Sequence, residues 1–401
     1  MIHMRNMESI HYWIKVCLGG LFFLLLGNAS AGNHVLDVTQ TDQESISLTE
    51  YLGVLEDPGT TLTLSDVIQD EYAGRFKNSH SRSEALGFSY TKSAVWLRLH
   101  LENSGPETVQ RVLEISYALL SQVDVYQPDR NGYQRVALGY SRPVPEQALR
   151  SRFVAVPVVI PANTQTRLYI RIQTPNSLNI PARLWHPKAF EAHQALDRTI
   201  QAMYFGCVLA ICFYNLMLFF AVRDINFLLY VAFAFSVAAA LATFTGIGPE
   251  FIWGVAPAWT MMGVNVPAAM ASVFMLLLAR RMLSTATLTP RIDAVLKLFV
   301  AVNAASTVLL FLWFQAFTPY FVTMSMITSI LILLAGVVCA KMKQRTAYIF
   351  LAAYGVLFLA NTRVGRDSCK KPQKRAYPYD SIGIIGESKS KGPNFRRKSS
   401  V

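Results

Sequence analysis

The stretch TIQAMYFGCVLAICFYNLMLFFAV, residues 199–222, decides how the rest of the chain is read. A hydrocarbon core ~30 Å thick needs about 20 apolar residues per helical span, and this stretch has that length and character. Four more follow closely: Phe227–Thr245, Ala258–Ala279, Leu298–Phe317 and Tyr320–Ala340. A sixth, Thr346–Ala360, is shorter and stops at Asn361. The composition changes at about Arg198, and upstream lie a short apolar leader and a long polar region patterned for strands. The expected fold class is a β-sandwich or jelly-roll extracytoplasmic domain followed by an all-α polytopic transmembrane helix bundle. The expected boundaries are 1–31 for a signal peptide, 32–197 for the β-domain, 198–360 for the membrane domain with five full spans and a partial sixth, and 361–401 for a tail.

The formal charge of +12 would suggest nucleic acid if it were spread over the chain. It is not. Residues 361–401 hold eleven Lys/Arg against three Asp/Glu, so +8 of the total sits there, while 32–197 has fifteen basic and eighteen acidic residues. No basic face runs through the β-domain, and no nucleic-acid partner is expected. Of the five cysteines, Cys17 is in the leader, Cys207, Cys212 and Cys339 are in apolar spans, and Cys369 is in the tail. The β-domain has none, so its core must hold it without disulfides. Its histidines are scattered, and neither a metal site nor a cofactor is expected.

Arg5 and Lys15 precede the apolar run Val16–Leu26, and Gly27-Asn28-Ala29-Ser30-Ala31 follows. A basic region, a short apolar segment and small residues in an A-x-A arrangement describe a secretory leader cut after Ala31. Eleven apolar residues are few for an anchor helix. The leader would export residues 32–197.

Within that region Val95, Leu97, Leu99 and Leu101 alternate with Trp96, Arg98 and His100. Val154, Val156, Val158 and Ile160 alternate in the same way, as do Leu168, Ile170 and Ile172. This period of two marks half-buried strands. Turn residues separate the runs at Asn103–Pro106, Pro128–Gly132 and Pro161–Asn163, and Leu62–Glu71 is the one stretch with a helical character. Trp96, Arg98, Tyr126 and Trp185, together with Tyr117 and Tyr169, are candidate ligand-binding residues, because aromatic faces stack on ring surfaces while Arg supplies forked donors. Packing in the sandwich core is the competing role for each aromatic. No nucleophile–base arrangement is readable, and no catalytic residues are assigned.

Loop charges set an orientation. Arg223, Arg280, Arg281, Arg291, Lys297, Lys341, Lys343 and Arg345 fall on one side, while Gly246–Pro257 and an expected turn at Phe317–Pro319 carry no Lys or Arg. The positive-inside rule then places the start of the first span outside, in agreement with the leader. Asn215, Asn265 and Asn303 are the main polar residues within the spans, expected to hydrogen-bond neighbouring helices. The loop Gly246–Trp253 would face outside, where it could touch the β-domain.

Further residues carry a family resemblance. In the exported part they are Leu86-Gly87-Phe88, Ala94-Val95-Trp96-Leu97-Arg98-Leu99, Leu101-Glu102-Asn103, Val123-Asp124-Val125-Tyr126, Phe153-Val154 and Tyr169-Ile170-Arg171. In the membrane part they are Tyr204-Phe205-Gly206, Tyr214-Asn215-Leu216, Arg223-Asp224, Tyr230 and the Gly246–Trp253 loop. Their order resembles the 7TMR-DISM family, seven-transmembrane receptors with diverse intracellular signalling modules, of the type with a DISMED2 extracellular domain. The resemblance implies a jelly-roll domain like carbohydrate-binding modules that senses a small molecule or sugar. It further implies a bundle in the bacterial inner membrane that relays the state of that domain to a cytoplasmic signalling protein. Members of the family usually end in a histidine kinase or a diguanylate cyclase. Membrane lipid is a further expected partner, and a homodimer fits such a receptor although no interface is readable.

The end of the chain departs from the pattern. The tail is basic and rich in Ser, Gly and Pro, and if the sixth stretch spans, that charge falls outside. So abrupt a reversal points to an out-of-frame or truncated end, in which case the seventh span and output module are missing. A short natural variant whose tail binds anionic lipid from inside is the other reading. There is no phosphoacceptor His box, P-loop or cyclase sequence, so the chain is expected not to be an enzyme. Two further functions stay open: a transporter or channel component with an exterior β-domain, and an envelope carbohydrate-binding adhesion module.

Overall fold

The computed structural model describes residues 35–355 apart from 40–42, 80–83, 144, 146–147 and 255. The leader and the tail lie outside the described residues. Thirteen strands are described: β1 (Leu36–Asp37), β2 (Ser45–Ser47), β3 (Leu52–Asp57), β4 (Lys77–Asn78), β5 (Leu86–Tyr90), β6 (Ala94–Asn103), β7 (Val109–Ile115), β8 (Gln122–Asp129), β9 (Gly132–Leu138), β10 (Val154–Ile160), β11 (Thr164–Gln173), β12 (Ser177–Ile180) and β13 (Ala182–Trp185). One sheet runs β4-β3-β6-β11-β8-β9, with β1 parallel to β6; the second runs β10-β7-β13-β2, and β12-β5 form a small third. The domain is a β-sandwich.

Alternation explains its core. Leu97 and Leu99 of β6, Val123 and Val125 of β8, and Ile170 and Ile172 of β11 point inward from the large sheet. They meet Leu113 and Ile115 of β7, Val156 and Val158 of β10, and Leu184 of β13. Each of these is essentially sealed from solvent, and complete burial of such a side chain is worth about 1.5–3 kcal/mol. Asn103 is a polar residue sealed in this interior. Its Nδ2 donates to the carbonyls of Glu107, Ile160 and Pro161, which ties the end of β6 to the turn joining β10 and β11. The helical stretch expected over Leu62–Glu71 is two short helices, α1 (Leu64–Ile68) and α2 (Asp70–Ala73).

The membrane region opens with α3 (Pro187–Val222), which starts one residue after β13 with His186 as N-cap and Pro187 in the first turn. Its 36 residues run ~54 Å without a break. Then come α4 (Ile225–Phe244), a π-helical turn (Gly248–Ile252), α5 (Pro257–Met262), α6 (Asn265–Met282), α7 (Thr285–Leu288), α8 (Pro290–Leu312) and α9 (Phe314–Lys341). Among the described residues four helices are long and apolar enough to cross a membrane: Pro187–Val222, Ile225–Phe244, Pro290–Leu312 and Ala316–Lys341.

Two expected features of the bundle differ. The third stretch, Ala258–Ala279, is not one helix; it breaks at Gly263–Val264. In an unbroken helix the Gly263 carbonyl would need the N–H of residue 267, and Pro267 has none. Gly263 also passes so close to α4 that a Cβ there would lie 2.6 Å from the Thr243 hydroxyl. The turn expected at Phe317–Pro319 is instead at Trp313, and Pro319 sits in the second turn of α9. Of the shorter sixth stretch, residues 346–355 are helical and the remainder lies outside the described residues.

The cationic ends of the helices gather at the end of the bundle away from the sandwich. Arg281 donates to Asn226, and Gln344 donates to the Met282 carbonyl. Asp293, 4 % exposed at its side chain, accepts two hydrogen bonds from Arg280 and further ones from Thr285 and Lys297. This network closes the α6–α8 connection. Asp293→Ala leaves Arg280 without its forked acceptor and should cost about 3 kcal/mol; the thermal midpoint of the detergent-solubilised protein should fall clearly below that of an Arg291→Ala control.

Candidate functional site

The outer face of the large sheet collects a cluster of aromatic and guanidinium groups, and register decides which ones. Residues directly opposite on antiparallel strands share a face, with Cβ atoms about 4.5–5.5 Å apart. Trp96, Arg98 and His100 of β6 stand opposite Arg171, Tyr169 and Arg167 of β11. Tyr169 and Arg171 in turn face Tyr126 and Asp124 of β8, and Tyr126 faces Arg135 of β9. One row therefore reads Arg98–Tyr169–Tyr126–Arg135 across four strands.

The rings pack on each other. Trp96 stacks on Tyr126 with centroids 5.7 Å apart, and Tyr133 meets Tyr169 edge-on at 5.7 Å. Phe76 closes one side at 6.3 Å from Tyr169, and the Arg98 guanidinium lies 4.5 Å above the Phe76 ring. Leu62, Leu64 and Val67, from α1 and the residues before it, pack over this layer. Trp96 is on the outer face as its position in β6 requires, yet it is fully buried beneath that cover. Tyr126 and Tyr133 remain half-exposed and form the accessible aromatic surface.

The charges are mostly matched. Asp124, 2 % exposed, receives both Arg135 and Arg142. Arg98 donates to the Ala73 carbonyl at 2.9 Å, and Arg171 to Gln173 at 3.0 Å. His100 is half-buried, and its Nε2 has no hydrogen-bond partner among the described residues. Burial, and then the charges on Arg98 and Arg167, push its pKa down to about 4.

Of the sequence-level candidates, Trp96, Arg98 and Tyr126 lie together on this face. Trp185 does not. It ends β13 in the other sheet, donates to Glu114 at 2.8 Å, and stacks on His193 of α3 at 4.5 Å. Burial raises the Glu114 carboxyl above the usual range. Tyr169 also lies on this face, while Tyr117 packs against the core between the sheets. Tyr133, Arg135 and Arg167 were missed as site residues, although the alternation of β11 and the turn before β9 place them on the same face.

A second polar cluster joins the two domains. Arg152, 10 % exposed at its side chain, donates to the carbonyl of Thr245, where α4 ends, and to Asp197 of α3, both at 2.6 Å. Arg198 of α3 pairs with Glu250 of the π-turn at 3.1 Å. Gly246 has φ of +82°, and a Cβ there would lie 2.9 Å from both the Ala118 Cβ and the Arg152 carbonyl oxygen. Only glycine suits that backbone and that gap. The Gly246–Trp253 loop thus touches the β-domain.

Among the intramembrane asparagines, Asn303 joins two helices, donating from α8 to Thr328 of α9 at 3.1 Å. Asn215 donates within its own helix to the Ile211 carbonyl, and Asn265 is the first residue of α6. Among the described residues no group of three His, Cys, Asp or Glu is placed to hold a metal ion.

Two outcomes follow for the sheet face. Trp96→Ala removes a buried ring and should destabilise the protein by about 3–5 kcal/mol, read as a lowered unfolding midpoint. His100 is held neutral in the fold and titrates near its ordinary 6.5 when unfolded, so its contribution is present above that pH and is lost as pH falls toward 4. His100→Gln should therefore flatten the fall in thermal midpoint between pH 7 and 4.5.

Comparison with known proteins matches two consecutive stretches. Residues 49–186 match the model for 7TMR-DISM extracellular 2, and residues 197–363 match that for 7TM diverse intracellular signalling. No curated protein matches the chain. The first match covers the sandwich with its aromatic face, the second covers the apolar helices, and the Arg152 cluster lies where the two meet: the chain belongs to the 7TMR-DISM family, seven-transmembrane receptors with an extracellular domain.

Proposed function

We propose that the protein is a signal-transducing receptor of the bacterial inner membrane whose β-sandwich, on the periplasmic side, senses a small molecule or saccharide. The observation that carries this reading is the connection between the domains. β13 passes into α3 across one residue, so any shift in the sandwich acts directly on a helix ~54 Å long. Arg152 adds a second link, to α3 through Asp197 and to the end of α4 through Thr245.

A ligand moves such a system only if it binds one arrangement better than the other. The face around Tyr126 and Tyr133 is the surface where a ligand would act, because its rings are accessible and its arginines offer donors. The segment carrying α1 and α2 lies over the same layer and is tied to it by Arg98 and Arg171, which donate to the Ala73 and Thr60 carbonyls. Ligand contact there would reset those ties, and the second sheet would pass the shift to α3.

The test uses the full chain in lipid nanodiscs with a panel of neutral and acidic saccharides. Binding should change hydrogen exchange in the 246–253 loop and in the 281–291 connection at the far end of the bundle. Arg152→Gln should keep the affinity within about threefold while the distant change is lost. Binding without any change at 281–291 would overturn the relay and favour an adhesion module. Transport of the bound saccharide across the bilayer would favour the transporter class.

A further inference from the structure

Five arginines project from or border the outer face of the large sheet, and four are engaged. Arg135 and Arg142 converge on Asp124, Arg98 is held over Phe76 and on the Ala73 carbonyl, and Arg171 is held by Gln173 and the Thr60 carbonyl. Arg167 is exposed and makes no ion pair among the described residues. It stands opposite His100, whose Nε2, like the Trp96 Nε1 of the same face, is buried without a partner among the described residues, and its charge is felt by Tyr133. The other acids of the face are occupied: Asp57 accepts from the Leu62 amide and Glu102 from Gln165.

An exposed guanidinium without an ion pair and an accessible tyrosine ring are thus neighbours on one face of the sheet. A guanidinium forks onto a carboxylate with two parallel hydrogen bonds, a geometry a neutral hydroxyl cannot match. A tyrosine face suits the C–H side of a pyranose ring. We propose that this corner of the sheet binds a carboxylate-bearing saccharide of the uronic or sialic acid class, with Arg167 on the carboxylate and Tyr133 against the ring. The proposal deepens the receptor reading and rests on its assignment of a saccharide to this face.

The experiment measures binding to the full chain in nanodiscs. The probes are oligogalacturonate, oligoglucuronate and N-acetylneuraminate, each paired with its methyl ester, with acetate as an ion-only control. At least one acid should bind tenfold or more tighter than its ester. Arg167→Gln should reduce the acid to the level of the ester, Arg167→Lys should recover part of the difference, and Tyr133→Ala should weaken both forms. The unfolding midpoints of the variants are measured alongside, and Arg150→Gln, outside the face, serves as the charge-matched control. Equal binding of acid and ester overturns the acidic class and leaves the saccharide reading standing. Acetate binding as tightly as the acids, or an unchanged preference in Arg167→Gln, also overturns it. No binding by any saccharide, neutral or acidic, overturns both readings.

Discussion

The direct passage from β13 into α3 is the constraint on which the rest of this protein depends. A strand that ends at Trp185 and a helix that begins at Pro187 leave one residue between a sandwich and a membrane-crossing element. So short a joint cannot absorb motion the way a flexible linker would. It requires the base of the sandwich to rest on the bundle, and the packing there is built accordingly. Arg152 occupies the contact, with one side of its guanidinium on the α4 terminus and the other on Asp197 of α3. Gly246 is the glycine that lets the loop come within reach.

The same economy of contacts separates the two faces of the large sheet. Its inner face is mainly aliphatic and supplies the stability that a domain without disulfides needs. Its outer face keeps rings and guanidiniums, and most of these satisfy one another. Asp124 is the centre of that arrangement: a buried carboxylate with two arginines on it is tolerable, whereas an unmatched one would not be. What the network leaves without a partner among the described residues is the exposed Arg167 and the buried nitrogens of His100 and Trp96. At the other end of the molecule Asp293 has the same role, matching Arg280 and Lys297 where the loops gather their positive charge.

The amino-acid sequence by itself determined the division of the chain, the strand pattern and the apolar spans, because each is a one-dimensional property. Period-two alternation placed Val95, Leu97, Leu99 and Leu101 inside and Arg98 outside, and the structure agrees. The length of the apolar runs predicted the helices, and the position of Gly246–Trp253 between them predicted a loop near the exported domain. Where local chemistry intervened, the pattern misled: Gly263 with Pro267 split an apolar stretch that hydrophobicity alone reads as one helix.

Tertiary structure alone decided which side chains meet. Trp96 and Trp185 look equivalent in sequence, yet strand order sends them to different sheets, one under α1 and the other against α3. Sheet register brought Arg167 and His100 together across 67 positions of chain, and no spacing rule could have paired them. Burial of Trp96 depended on where the segment before β4 folds back, which is a question of packing. Alternation along a strand says which face a residue takes; only the neighbouring strands and the chain laid over them say what that face can touch.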